Sequence, residues 1–119
     1  DCGGTYWLPR LAGLQRAMGM ALLAGRVPAE DAERWGLIWK CVDDDKLMDE
    51  ASALARTLAA GPTHTYGMIK KALYASSGNT LDAQLDLERD LQREVGRHGD
   101  YREGVAAFLE KRKPVFTGR

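Results

Sequence analysis

The chain has 119 residues, with 17 Lys plus Arg against 17 Asp plus Glu, so its net charge of zero offers no long-range field to gather nucleic acid or an anionic membrane. That length suits one domain, or part of one, with a core of its own. The longest apolar stretch, over residues 17–24, is broken by Gly19 and falls well short of the roughly 20 residues of a membrane span, which predicts a soluble chain.

In chain order, glycines fall mostly at segment ends and divide the chain into pieces of helix length. A short turn over residues 5–11 carries Pro9. Residues 14–24 place Leu14, Ala17, Met18, Ala21 and Leu22 on one helical face, and the interior Gly19 predicts close packing against a neighbouring backbone. Pro28, Ala29, Glu30 and Asp31 open a third helix that stops at Gly36, with proline in the first turn and acidic residues at the positive end of the dipole. Leu37 to Val42 is rich in β-formers and is the one strand candidate. Asp43 to Asp45 cap a long helix striped by Leu47, Ala51, Leu54, Ala55 and Leu58 and ended by Gly61. Pro62 restarts the chain into a helix with Tyr66, Ile69, Ala72 and Leu73 inward. Asn79 or Thr80 caps the longest helix, where Leu81, Leu85, Leu91 and Val95 recur at core spacing and can reach a partner chain. A last helix over residues 101–110 leads to the basic run Lys111-Arg112-Lys113-Pro114.

Several residues could carry chemistry. Asp1 stands ahead of Gly3-Gly4-Thr5, where a carboxylate can serve as a helix N-cap. The residues by themselves favour that cap over the sharper reading, a general base from which Tyr6, Trp7 and Leu8 exclude water. The Gly-Gly-Thr run lacks the lysine and the spacing of a P-loop and is taken as a tight turn. His64 and His98 have no cysteine or carboxylate at ligand spacing, which predicts surface histidines and no metal site. Trp35 and Trp39, flanking Gly36, are expected to pack in the core. Cys2 and Cys41 follow no CxxC or Cys/His pattern, so two reduced thiols in a cytoplasmic protein are expected. Phe108 and Lys111 are three apart, hence on one helical face, and together offer a ring for stacking and an ammonium for a phosphate. An ordinary core phenylalanine followed by a solvated basic helix end explains the same pair.

Three segments in order carry a family resemblance: Asp1-x-Gly-Gly-Thr-x-x-Leu-Pro-Arg-Leu; residues 24–32 with Trp35-Gly36-Leu37-Ile38; and residues 102–112. The chain resembles, from end to end, the C-terminal half of the crotonase superfamily, the enoyl-CoA hydratase/isomerase family. Trp35 to Trp39, Asn79 to Asp90 and the ending Phe116-Thr117-Gly118-Arg119 look most like the branch that isomerises ring 1,2-epoxyphenylacetyl-CoA in bacterial phenylacetate breakdown.

The resemblance implies a mainly α chain with at most one short strand, the helical trimerisation half of an α/β crotonase-type spiral fold whose ββα core lies upstream. Residues 1–119 would then form one helical half-domain, with 1–12 ending the active-site segment and 43–119 serving oligomerisation and CoA contact. It further implies an acyl-CoA substrate, with coenzyme A as part of the substrate and no separate cofactor, and a homo-trimer or hexamer. Asp1 matches the proton-shuttling carboxylate of the isomerase branch, Trp7 and Leu8 lie near the acyl pocket, and Phe108 and Lys111 match positions that reach the adenine and phosphate end of CoA. The oxyanion hole, and the two glutamates of a true hydratase, belong to the upstream half. A hydratase is therefore the enzymatic alternative, and an inactive helical assembly piece the non-enzymatic one.

Overall fold

A computed structural model describes residues 2–118, and among them the regular structure is entirely helical. The chain separates into two compact units, residues 1–47 and 48–119.

In the first unit, α1 (Gly4–Ala12) and α2 (Leu14–Leu23) pack against each other around Gly13, with Ala12 and Ala17 buried. Pro9 is accommodated inside α1, and the helix closes as the Gly13 amide donates to the Pro9 carbonyl. α3 (Ala29–Arg34) follows Pro28, carries Glu30 and Asp31 in its first turn, and pairs Arg34 with Asp31. It ends in a double closure: Gly36 N–H to the Glu33 carbonyl at 2.9 Å and Leu37 N–H to the Ala32 carbonyl at 2.8 Å. That closure requires a left-handed residue, and Gly36 supplies it at φ 79°.

The expected strand at Leu37 to Val42 does not form; the segment is bends and irregular chain. β-branched and aromatic residues favour a strand only through cross-strand packing, and among the described residues no second strand exists to pair with it. Trp39, expected in the core, is 86% exposed, while Trp35 is half-buried with the Arg16 guanidinium 5.1 Å above its ring. Gly19 meets no neighbouring backbone; the space beside it is open. The apolar face of α2 is likewise uncovered, with Leu14, Met18 and Leu22 all exposed beside the buried Ala17.

A 3-10 turn over Asp44–Lys46 leads into α4 (Leu47–Ala59). In the second unit α5 (Thr63–Ser76) and α6 (Leu81–Gly96) form an antiparallel pair, and α7 (Gly99–Leu109) packs against α6. Thr80 caps α6, its hydroxyl accepting from the Ala83 amide at 3.3 Å. Gln84 reaches back to the Ala72 carbonyl at 3.2 Å and so ties α6 to α5. Leu91, Val95 and Ala107 are buried as the α5–α6–α7 core, whereas Leu81, Leu85, Ile69 and Leu73, expected inward, stay exposed.

Candidate functional site

Around the amino-terminal turn, Gly3 sits at φ 80° and its carbonyl accepts from the amides of Tyr6 at 3.0 Å and Trp7 at 2.9 Å, which starts α1. A side chain at residue 3 would need both a left-handed backbone and room that the Trp7 indole occupies, because a Cβ there would lie 3.2 Å from Trp7 Cδ1. Trp7 therefore lies over the turn that follows Asp1. Tyr6 meets Trp7 edge-on at 5.0 Å, and Arg10 stacks 3.6 Å above the Tyr6 ring while donating to the Tyr6 carbonyl. Leu8 is half-buried, but Tyr6 and Trp7 are 44% and 46% exposed, so this unit alone does not seal them from water. Asp1, the expected general base, lies outside the described residues.

At the other predicted position, Phe108 is on α7 and 83% exposed, on an open apolar groove it shares with Pro62, Val105, Leu109 and Phe116. Lys111 does not continue its helical face. α7 ends at Leu109, and Lys111 occupies the left-handed region at φ 54°. Its amide closes on the Phe108 carbonyl at 3.3 Å and the Arg112 amide on the Ala107 carbonyl at 3.0 Å. This is the same double closure as at Gly36, with a lysine where glycine is the usual residue. Ring and ammonium are thus linked through a helix-ending turn and not through an i, i+3 ridge.

Behind that turn lies an ionic arrangement that the sequence did not disclose. Glu103 receives a forked pair from Arg112, Nη1 to Oε1 at 2.6 Å and Nη2 to Oε2 at 2.9 Å, and also accepts from the Val115 amide at 2.8 Å. Arg112 Nε reaches Glu110 at 2.6 Å. The Arg112 hydrogen bonds, then the Val115 amide, hold the Glu103 carboxyl down at about 2, and the Arg112 guanidinium is raised in return, chiefly by Glu103. One turn earlier, Asp100 is 3% exposed and accepts from Thr117 N–H at 2.8 Å and Gly118 N–H at 2.9 Å. The Thr117 amide is the main reason its carboxyl lies below the usual range, outweighing the burial that acts the other way. Asp100 and Glu103 share one face of α7, so the tail runs back along the helix from Arg112 to Gly118.

The two histidines are not simple surface residues. Their rings stack at 4.4 Å with planes 4° apart, His64 Nε2 lies 3.3 Å from Glu94 Oε1, and His98 Nδ1 is buried with no hydrogen-bond partner among the described residues. His64 lies in the first turn of α5 and His98 just ahead of α7, 34 residues apart in sequence, which is why neither showed a partner there. Among the described residues no cluster of His, Cys, Asp or Glu could hold a metal, and no helix is long and apolar enough to cross a membrane. Cys2 and Cys41 are free thiols; burial, then the carboxylates of Glu30, Glu33, Asp43 and Asp44, push the Cys41 thiol up.

Comparison with known proteins accounts for the whole chain. The family model for enoyl-CoA hydratase/isomerase matches residues 1–119. All of the chain aligns with 45% of the 1,2-epoxyphenylacetyl-CoA isomerase of Escherichia coli K12 at 60% identity, and with 46% of a probable enoyl-CoA hydratase of Rhodobacter capsulatus at 54%. A crystal structure of a protein proposed to be an enoyl-CoA hydratase/isomerase, from Mycobacterium abscessus, superposes with a TM-score of 0.96 at 38% identity, over 100% of this chain and 46% of that one. The chain therefore spans about half the length of these relatives and corresponds to the helical half of their fold. With the match running through the Gly-Gly-Thr turn, the α3 closure and the α7 tail alike, this chain belongs to the enoyl-CoA hydratase/isomerase family.

Proposed function

We propose that this chain is the helical half of an acyl-CoA isomerase of the 1,2-epoxyphenylacetyl-CoA type, with Asp1 as its general acid/base. The observation that carries this reading is the 60% identity over all 119 residues to an isomerase of that name. Proton transfer next to a thioester carbonyl passes through an enolate, for which a carboxylate of ordinary pKa, about 3.9, is a weak base. Burial beside Trp7 and Leu8 would raise that pKa, and oxyanion donors from the part of the fold outside this chain would stabilise the enolate. The same carboxylate then returns the proton elsewhere on the conjugated system, or lets an adjacent epoxide open as the ring expands. Phe108 and Lys111 take the adenine and phosphate end of CoA. Coenzyme A enters with the substrate, so this chemistry asks for no separate cofactor. A homo-trimer or hexamer in the cytoplasm belongs to the same proposal; the apolar residues left exposed on α2 and α6 provide surface for burial against further protein.

A second reading, hydration of a 2-enoyl-CoA, has support in the 54% identity to the Rhodobacter relative. One substitution separates the two. In the protein of family length that carries this chain, Asp1→Asn is expected to abolish isomerase turnover while leaving CoA affinity nearly intact. Unchanged isomerisation refutes the role of Asp1, and hydration without isomerisation in the unsubstituted protein refutes the isomerase.

A further inference from the structure

The turn at Lys111 is held in place from two directions, and what it holds is a residue that resists the conformation. An L-residue in the left-handed region gives up about 1–2 kcal/mol relative to the right-handed one, and glycine is the residue that avoids this. Lys111 nevertheless stands there at φ 54°. Conformations of this kind persist where the surroundings over-determine them. Here the surroundings are specific. On the helix side, the Lys111 and Arg112 amides close onto Phe108 and Ala107. On the tail side, the next residue, Arg112, is forked onto Glu103 and bonded to Glu110, Glu103 also receives the Val115 amide, and Asp100 receives those of Thr117 and Gly118.

A tail tied to Glu103 and then to Asp100 runs antiparallel to α7. The chain must therefore reverse between Leu109 and Arg112, and Lys111 is at the apex of the reversal. None of the described ion pairs uses its ammonium. The two carboxylates thus fix the backbone at an exposed lysine whose amide is bonded to the carbonyl of the exposed Phe108. Fixing the base of a lysine removes part of the ordering cost that a flexible tail would incur when the ammonium meets an anion.

We propose that Glu103 and Arg112 are positioning residues for ligand binding, locking the left-handed turn so that Lys111 presents its ammonium to a phosphate of the acyl carrier. This rests on the reading of Lys111 as a phosphate contact. Glu103 is held charged at neutral pH, its carboxyl lowered to about 2 chiefly by Arg112, so the fork to Arg112 is in place there.

The test is a double-mutant cycle in the enzyme of family length, titrated with coenzyme A and assayed for turnover. Glu103→Gln is expected to weaken CoA by about two- to tenfold, the factor that ordering one long side chain is worth, with kcat within about twofold. Arg112→Gln removes the other half of the fork and is expected to do the same, so the result does not hang on one variant folding. Lys111→Ala weakens CoA as well, and Glu103→Gln added to it weakens CoA no further, because the lock then has nothing to present. A Glu103→Gln effect of the same size with and without Lys111 overturns the positioning role. So does Lys111→Ala weakening CoA while Glu103→Gln and Arg112→Gln leave it unchanged. Lys111→Ala without effect on CoA overturns instead the reading of Lys111 as a phosphate contact.

Discussion

Replacing Lys111 by glycine should stabilise the protein while removing a charge from its surface. The backbone there has φ 54°, a region that disfavours an L-side chain by about 1–2 kcal/mol and that glycine enters freely. Glycine also loses more freedom on folding, which takes back about 0.5–1 kcal/mol. The difference is a gain of about 0.5–1 kcal/mol, which for a chain of this size corresponds to a rise in Tm of roughly 2–5 °C. The closure bonds from residues 111 and 112 to Phe108 and Ala107 are main-chain bonds and survive the change. The assay is thermal unfolding by circular dichroism at neutral pH, with Lys111→Ala as the control: alanine removes the ammonium but keeps the Cβ, and should leave Tm within about 1 °C. If glycine lowers Tm, or if alanine raises it as much as glycine does, the strain at residue 111 is not what the left-handed geometry implies.

At Gly36 the sign reverses. φ is 79° and an added Cβ would stand 3.4 Å from the Leu11 carbonyl oxygen, so Gly36→Ala should cost about 1–2 kcal/mol, read as a lower midpoint in urea with unchanged slope. Acid should also loosen the tail. Glu103 titrates at about 2 in the folded state against an ordinary value near 4.3, and Asp100 is shifted in the same direction, so their stabilisation is complete above about pH 5 and is lost as the pH falls towards 2. Tm measured from pH 6 downward should be flat and then fall through that window, and the fall should be shallower in Glu103→Gln.

Much of the fold was legible because helices announce their ends locally. Thr80, Pro28, Gly36 and Gly61 mark boundaries through bonds or backbone angles made within a few residues, and those boundaries held to within a residue or two. The segment Leu37 to Val42 misled for the complementary reason: its composition suits a pleated surface, and a pleated surface needs a neighbour. The apolar stripes on α2 and α6 were placed correctly on their helices, yet only Ala17, Leu91 and Val95 of the residues expected inward on those helices are buried. Periodicity reports which face is apolar, not what covers it. That Leu14, Met18, Leu81 and Leu85 remain exposed fits a chain that spans about half the length of its relatives.

The site divides along the same line. In the candidate site Gly3, Trp7 and Leu8 are neighbours in sequence within one motif, and the structure adds that the indole and the left-handed glycine are two halves of one turn. Phe108 and Lys111 were paired by an i, i+3 rule that assumes the helix continues, and the helix stops between them. The signal that could have shown this is Lys111-Arg112-Lys113-Pro114, since a proline shortly beyond a basic run marks a helix that has already ended. With the helix ended, a second inference was within reach: Asp100 and Glu103 stand three apart at the start of α7, an arginine follows nine residues after Glu103, and a returning tail would bring them together. The return itself depends on main-chain amides of Val115, Thr117 and Gly118, which every sequence possesses and none advertises. Carboxylates that bind amides are for this reason harder to read than carboxylates that bind arginines, although here both kinds shape the one turn that carries Lys111.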